Sequence, residues 1–361
     1  MSARFLILPV VAITLCYAED ANLRCPEADM KYIIDVDTGV DDAMALMMMT
    51  AYNKCIEAIT VVAGNTNMEN AYNNTMRVLQ EINHTEIPVY KGADRPILGL
   101  WQPEEFYFGD DNFGNVAVNY TIGNNSANDT TFAPLKMIEL IRASCGNITL
   151  ILLGPLTNLA IALLVDPGIT QYVSEIFILG GNIEGRGNIK PGSEFNFLVD
   201  PEAAEVVLQR VQCNVTIVPW EAILKSTVPW EVYNITTNGM NRNARFLKAL
   251  ANHTIVCCIQ NGPGFRLGDM GATLAAIVPS SVAKMSTHRV AVELTGTHTK
   301  GMLVMGWENY MITHVKRTVD IVEWFNETDV IVSFVTVFGN GSESVQTVLD
   351  QVISTTTTPS Q

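Results

Sequence analysis

The stretch Lys31–Thr50 constrains this chain most. A short strand-like run carries Asp35 and Asp37, Gly39 turns the chain, and Asp41 and Asp42 open an apolar helical pattern. Side chains alternate along a strand, so Asp35 and Asp37 point to the same side. Gly39 permits the sharp turn. Asp41 and Asp42 fall in the first helical turn, where acidic groups favour the positive end of the helix dipole. Four anionic groups converging beside apolar elements repel one another unless a cation joins them or they protonate. A hard divalent cation with oxygen ligands resolves the conflict most simply, and calcium tolerates such irregular carboxylate cages best. The plainer reading is a helix start with Asp37 and Asp41 as caps. Carboxylates are seldom clustered at a strand end without a role, which weighs against it.

Apolar runs rich in β-branched residues recur at Ile33–Val36, Ala58–Ala63, Ile148–Leu153, Ile176–Leu179 and Val215–Val218. Helical patterns lie between them near Asp42–Tyr52, Glu69–Ile82, Pro134–Ala143, Leu156–Leu164 and Pro201–Arg210. Continuous apolar strands alternating with helices predict an α/β fold: a doubly wound, mostly parallel sheet with helices on both faces. Ligands on such sheets bind at the carboxyl ends of the strands, where strand order switches. One large domain, 25–352, is expected, followed by a flexible polar tail, 353–361. Val330–Phe338 reads as a late strand, and Val228–Arg245 as a mobile insert near the site. Gly99–Asn128 is a long irregular stretch, suited to a lid or binding loop. Its aromatics, Trp101, Tyr107 and Phe108, are candidates to stack on a flat base, or else to pack beneath the loop.

The Asp-x-Asp-x-Gly-x-Asp-Asp stretch resembles the opening motif of the nucleoside hydrolases, the inosine-uridine preferring, calcium-dependent N-ribohydrolases. Thr38 stands where the usual motif has Pro. Further segments match in the same order: Ala63–Asn67, Leu152–Ala160 with its Gly154-Pro155 turn, Gly180–Asp200, and Gly268–Ala272. The resemblance runs from Lys31 to about Asp350. It implies calcium held by Asp37, Asp42, Asp269 and the backbone oxygen of Leu153, with Asp37 also the general base. It places Asp41 on the ribose 2′-hydroxyl, Asn196 and Asp269 on the 3′-hydroxyl, Asn188 and Glu194 on the 5′-hydroxyl, and Asn65 beside metal and ribose. Asp35 would support the ligands from behind. Asp200-Pro201 reads as a helix cap with proline at the first position. The implied activity is hydrolysis of ribonucleosides, purine nucleosides favoured, to free base and ribose, by a homodimer or homotetramer.

Many inosine–uridine members carry His before the late Asp, as proton donor to the departing base; Gly268 stands here. Arg266, Asp110 and Asp111 are the candidates for that task, or solvent protonates the base. The missing His motivates a second reading, a catalytically weak nucleoside-binding protein. A third takes Asp35 and Asp37 as the nucleophile and acid of a haloacid-dehalogenase-like phosphatase, a family that the Asp41-Asp42 pair fits poorly.

Met1–Ala18 has one early Arg, an apolar run and small residues before Glu19, the pattern of a cleaved secretory signal. The run is too short to span a membrane, and no later segment offers ~20 uninterrupted apolar residues. A secreted, extracellular protein without a membrane anchor is expected. Eleven Asn-x-Ser/Thr sequons suit a glycoprotein. Of seven cysteines, six remain after the signal, and in an oxidising compartment they form disulfides or stay as buried thiols. A net charge of −15 argues against a nucleic acid polymer as partner and says little about a small neutral substrate.

Overall fold

The computed structural model describes residues 29–100, 105–127, 130–308, 310–340 and 348. The expected signal segment, the expected polar tail and Trp101 lie outside the described residues. Strands β1 (Lys31–Val36), β2 (Cys55–Val61), β3 (Val89–Lys91), β4 (Ile148–Leu152), β5 (Glu175–Leu179) and β6 (Asn214–Val218) are all parallel. Later come β7 (Thr227–Pro229), β8 (Gly264–Arg266), β9 (Val282–Val292), β10 (Leu303–Gly306) and β11 (Val319–Phe325). The main sheet runs β10-β9-β11-β6-β5-β4-β1-β2-β3, with β9 antiparallel to both its neighbours. The antiparallel pair β7–β8 stands apart.

Alternation along the strands decides which core each residue joins. Ile34, Val36 and Ile151 pack into one apolar cluster, while Ile33, Leu150 and Leu152 pack into the other. Both faces of the sheet are therefore covered by helices, which is why its central strands read as unbroken apolar runs. Strand order reverses between β1 and β4, so their carboxyl ends flank a crevice at the switch point. Asp37 and Gly39 follow β1, and Leu153 and Gly154 follow β4.

Two expectations fail. The segment Glu327–Phe338 is a helix, not a strand. Its buried residues include Val330, Ile331, Phe334, Val335 and Phe338, the one-sided spacing of a helix, and the Asn326 side chain caps its start by accepting from the Asp329 N–H. Nor is Val228–Arg245 a mobile insert. It forms β7, the helix Trp230–Thr237 and the start of the helix Arg242–Thr254, anchored by buried Val232 and Tyr233.

The helix Arg242–Thr254 runs into a π-helical turn, Ile255–Ile259, and Cys257 and Cys258 form a disulfide within it. Cys55 and Cys145 are also disulfide-bonded, and Cys213 is a half-buried free thiol. The long loop contains a short helix, Glu105–Phe108, followed by a turn built on Asp111. The Asp111 carboxylate accepts from the N–H groups of Phe113, Asn115 and Ala117. Phe113 below it is fully buried against Tyr120 and Phe246.

Candidate active site

The loop after β1 is built around its carboxylates. Asp42 accepts from the N–H groups of Asp37 (3.3 Å) and Gly39 (2.8 Å), which ties the turn to the first turn of the helix Val40–Ala51. Thr38 is fully buried, with its hydroxyl on that of Thr75 at 2.7 Å. One Asp37 oxygen accepts from the Asn65 N–H at 2.6 Å. Asp37 lies so close to the neighbouring chain that a Cβ on Gly64 would sit 2.0 Å from its carboxylate, and one on Gly154 3.0 Å. Glycine after β2 and after β4 therefore admits the carboxylate between two strand ends.

The helix Asp269–Ile277 brings the late Asp to the same place. Carboxylate oxygens of Asp41, Asp42 and Asp269 lie within 4.8 Å of one another. Burial, then the charge of Asp42, pushes the Asp37 carboxyl well up. Burial, then the charges of Asp41 and Asp42, does the same to Asp269. Burial also raises Asp42, and burial followed by the Asp42 charge raises Asp41. The Oδ1 atoms of Asp37 and Asp41 are buried with no hydrogen-bond partner. Orphaned acceptors in a mutually repelling acidic group are what a hard cation satisfies, so the residues present fit a calcium-type ion.

Asp41 and Asp269 line one cavity of about 400 Å³, a volume suited to a small ligand, while Asp37 and Asp42 lie buried beside them. Asp41, Asn65, Leu153, Asn188, Glu194, Asn196 and Asp269 all face it. Asn196 spends its amide N–H groups on the Leu153 oxygen (2.7 Å) and the Leu179 oxygen (3.1 Å). Glu194 caps the helix Phe195–Val199, accepting from Asn196, Phe197 and Gly181 N–H groups, and burial raises its pKa to about 7. Asn188 is exposed at the rim. Asp35 stands behind the cavity, fully buried, with Oδ1 accepting from Thr60 and Asn158. That position suits a supporting residue and rules out Asp35 as a phosphatase nucleophile.

The model of the family described as inosine-uridine preferring nucleoside hydrolase matches residues 32–331. The chain belongs to the nucleoside hydrolase family. Among its relatives is the non-specific ribonucleoside hydrolase RihC of Escherichia coli, 31% identical over 75% of this chain and 86% of that protein. The probable uridine nucleosidase 1 of rice is 34% identical over 49% of this chain. The pyrimidine-specific RihB of Escherichia coli is 36% identical, also over 49%. The chain spans about half the length of these last two, 54% and 55%. Among solved structures, an inosine-guanosine nucleoside hydrolase superposes with a TM-score of 0.78 at 28% identity, over 85% of this chain and 98% of that one. The plant enzyme PpNRh1 gives 0.79 at 25% identity, over 86% and 99%.

Asp41, which the family motifs assign to the sugar, shares the 4.8 Å carboxylate group with Asp42 and Asp269, and Asp37 is not part of that group. Gly268, where many inosine–uridine members carry His, has φ +53° and ψ −130°, and a Cβ there would lie 2.1 Å from Asp41 Oδ2. Here the position admits glycine alone. Of the three alternatives for the departing base, only Arg266 lines the cavity. Asp111 is committed to its own turn, and Asp110 is exposed outside the cavity. Tyr107 and Phe108 do line it, with Phe108 largely buried against Gly39. Sequence reasoning missed Trp220 and Phe265, which reach the same wall. Their signal, an aromatic just after a strand end or inside a short strand, is too common to single them out.

Proposed function

We propose that this chain is a secreted, calcium-dependent hydrolase of the N-glycosidic bond of ribonucleosides, with purine nucleosides as its substrates. The carrying observation is the meeting of Asp41, Asp42 and Asp269, far apart in sequence, at a cavity that Asp41 and Asp269 line together with aromatics. A calcium ion held by Asp37, Asp42, Asp269 and the Leu153 oxygen would neutralise the cluster and make a water easier to deprotonate. The chain's own groups do the rest. The Asp37 carboxylate accepts the proton of the attacking water. Asp41 and Asp269 accept from the ribose 2′- and 3′-hydroxyls, and Asn196 and Asn65 flank them. Glu194 and Asn188 hold the 5′-hydroxyl. As the bond breaks, positive charge developing on the sugar is stabilised by the surrounding carboxylates.

Purine substrates are suggested by the aromatic side chains of Tyr107, Trp220 and Phe265 on the cavity wall, which can stack on a large flat base. Secretion is favoured by the leader-like segment and by exposed sequon asparagines such as Asn83, Asn119, Asn234 and Asn252. A homodimer or homotetramer is the assembly expected by analogy. The glycine at 268 keeps the nucleoside-binding reading in play as the rival. Both are tested by incubating the protein with inosine, adenosine, guanosine and uridine, with and without a chelator, and measuring free base and ribose. Calcium-dependent release of both products supports the hydrolase; saturable binding without release replaces it with the binder.

A further inference from the structure

Away from the carboxylate floor, the cavity wall holds a cation with an unusual setting. Arg266 lies on the short strand β8, which is pinned by pairing with β7. Its guanidinium lies over the Trp220 ring, 5.4 Å from the centroid, and Tyr107 lines the same cavity. All three side chains line the cavity. Among the described residues no carboxylate forms an ion pair with Arg266, although Asp41 and Asp269 face the same space. The other cation on the cavity wall, Arg186, is exposed. A half-buried guanidinium over an aromatic ring, on the wall of a cavity, offers a fork of N–H donors to a ligand there.

The chemistry of that fork selects a base. Two parallel N–H donors match two adjacent acceptors. A 6-oxopurine presents N7 and O6 side by side, the pair that an arginine fork reads in guanine. Adenine sets an amino donor beside N7, and uracil has no second acceptor next to O4. We infer that Arg266, set over Trp220, is the base-recognition residue and makes this chain selective for 6-oxopurine nucleosides, inosine and guanosine.

This rests on the hydrolase reading and deepens it. When the C1′–N9 bond breaks, its electron pair stays with the base. The negative charge spreads to O6 and N7, where Arg266 holds it until solvent supplies a proton. The hydroxyl that joins C1′ and the proton taken by Asp37 come from one water. Arginine stays protonated throughout, so it stabilises the departing anion without acting as an acid. The fork thus fills the role left open by glycine at 268.

The experiment compares kcat/KM for inosine, guanosine, adenosine, uridine and p-nitrophenyl riboside, whose leaving group needs no help. Wild type and Arg266→Gln are measured with calcium present. The wild type is expected to prefer inosine and guanosine to adenosine and uridine by about 10- to 100-fold, the discrimination of one bidentate pair. In Arg266→Gln the ratio of inosine to p-nitrophenyl riboside should fall by about the same factor. Equal use of all four nucleosides by the wild type overturns the inference, as does an unchanged ratio in the variant. If the wild type leaves even p-nitrophenyl riboside intact, the hydrolase reading fails and this one falls with it. If it cleaves that substrate without base preference, only the role of Arg266 is lost.

Discussion

Replacing Gly268 with alanine tests the geometry of the site at its tightest point. The backbone there occupies a region essentially reserved for glycine, which costs a side-chain-bearing residue about 1–3 kcal/mol. The new Cβ would also lie 2.1 Å from Asp41 Oδ2 and 2.6 Å from Asp41 Cβ. The nearest atoms belong to a carboxylate in the acidic cluster, so relief requires Asp41 or the start of the helix Asp269–Ile277 to move. For the roughly 300 residues of the domain the unfolding entropy is about 0.6 kcal/mol/K, so a 2 kcal/mol loss lowers Tm by about 3 °C. Displacing a substrate-positioning group by about 1 Å costs on the order of 100-fold in rate. Gly99→Ala is the control: it too has positive φ, +85°, but nothing lies within 4 Å of its Cβ position. Thermal melts and ribose release from inosine would be measured for both variants. Gly268→Ala should lose activity far out of proportion to its Tm, while Gly99→Ala should keep its activity. Equal activity in the two would refute the close approach of Gly268 to Asp41.

Stability without metal should depend on pH in an unusual direction. Burial raises Asp35 and Glu194 to about 7 in the folded chain, so between about pH 4 and 7 the native state binds more protons than the unfolded one. Their contribution is complete below the unfolded value and is lost as pH rises through about 7; urea midpoints in chelator should therefore be higher at pH 5 than at pH 8, and the reverse order contradicts the burial. Asp111→Ala removes the acceptor of three backbone N–H groups, at a cost of about 1–3 kcal/mol. It should loosen the loop that carries Tyr107 and Phe108, seen as faster amide exchange there and a raised KM; unchanged exchange would show that the turn holds without it. Phe113→Ala, at a fully buried site, should cost about 3–5 kcal/mol in denaturant titration, and a loss below 1 kcal/mol would show that the aromatic cluster is loosely packed.

The parallel half of the sheet was legible because its strands are buried on both faces and alternate with helices. The acidic loop was legible because its spacing joins a strand, a glycine turn and a helix start. Glu327–Phe338 misled because a buried helix and a buried strand share a β-branched, apolar composition, and only the side that is covered tells them apart. The setting of Gly268 could not be read, because it depends on Asp41, a residue brought beside it by the fold. Arg266 was one of several polar candidates until pairing of β8 with β7 fixed its direction, and Asp111 dropped out because its oxygens serve its own turn.

The most direct test of the account is calorimetric titration of calcium into chelator-stripped protein, wild type and Asp269→Asn. One ion per chain in the wild type, with affinity lost or sharply reduced in the variant, is the predicted result. No binding to a folded wild-type chain, or equal binding by both, would contradict a calcium site built from Asp37, Asp42 and Asp269.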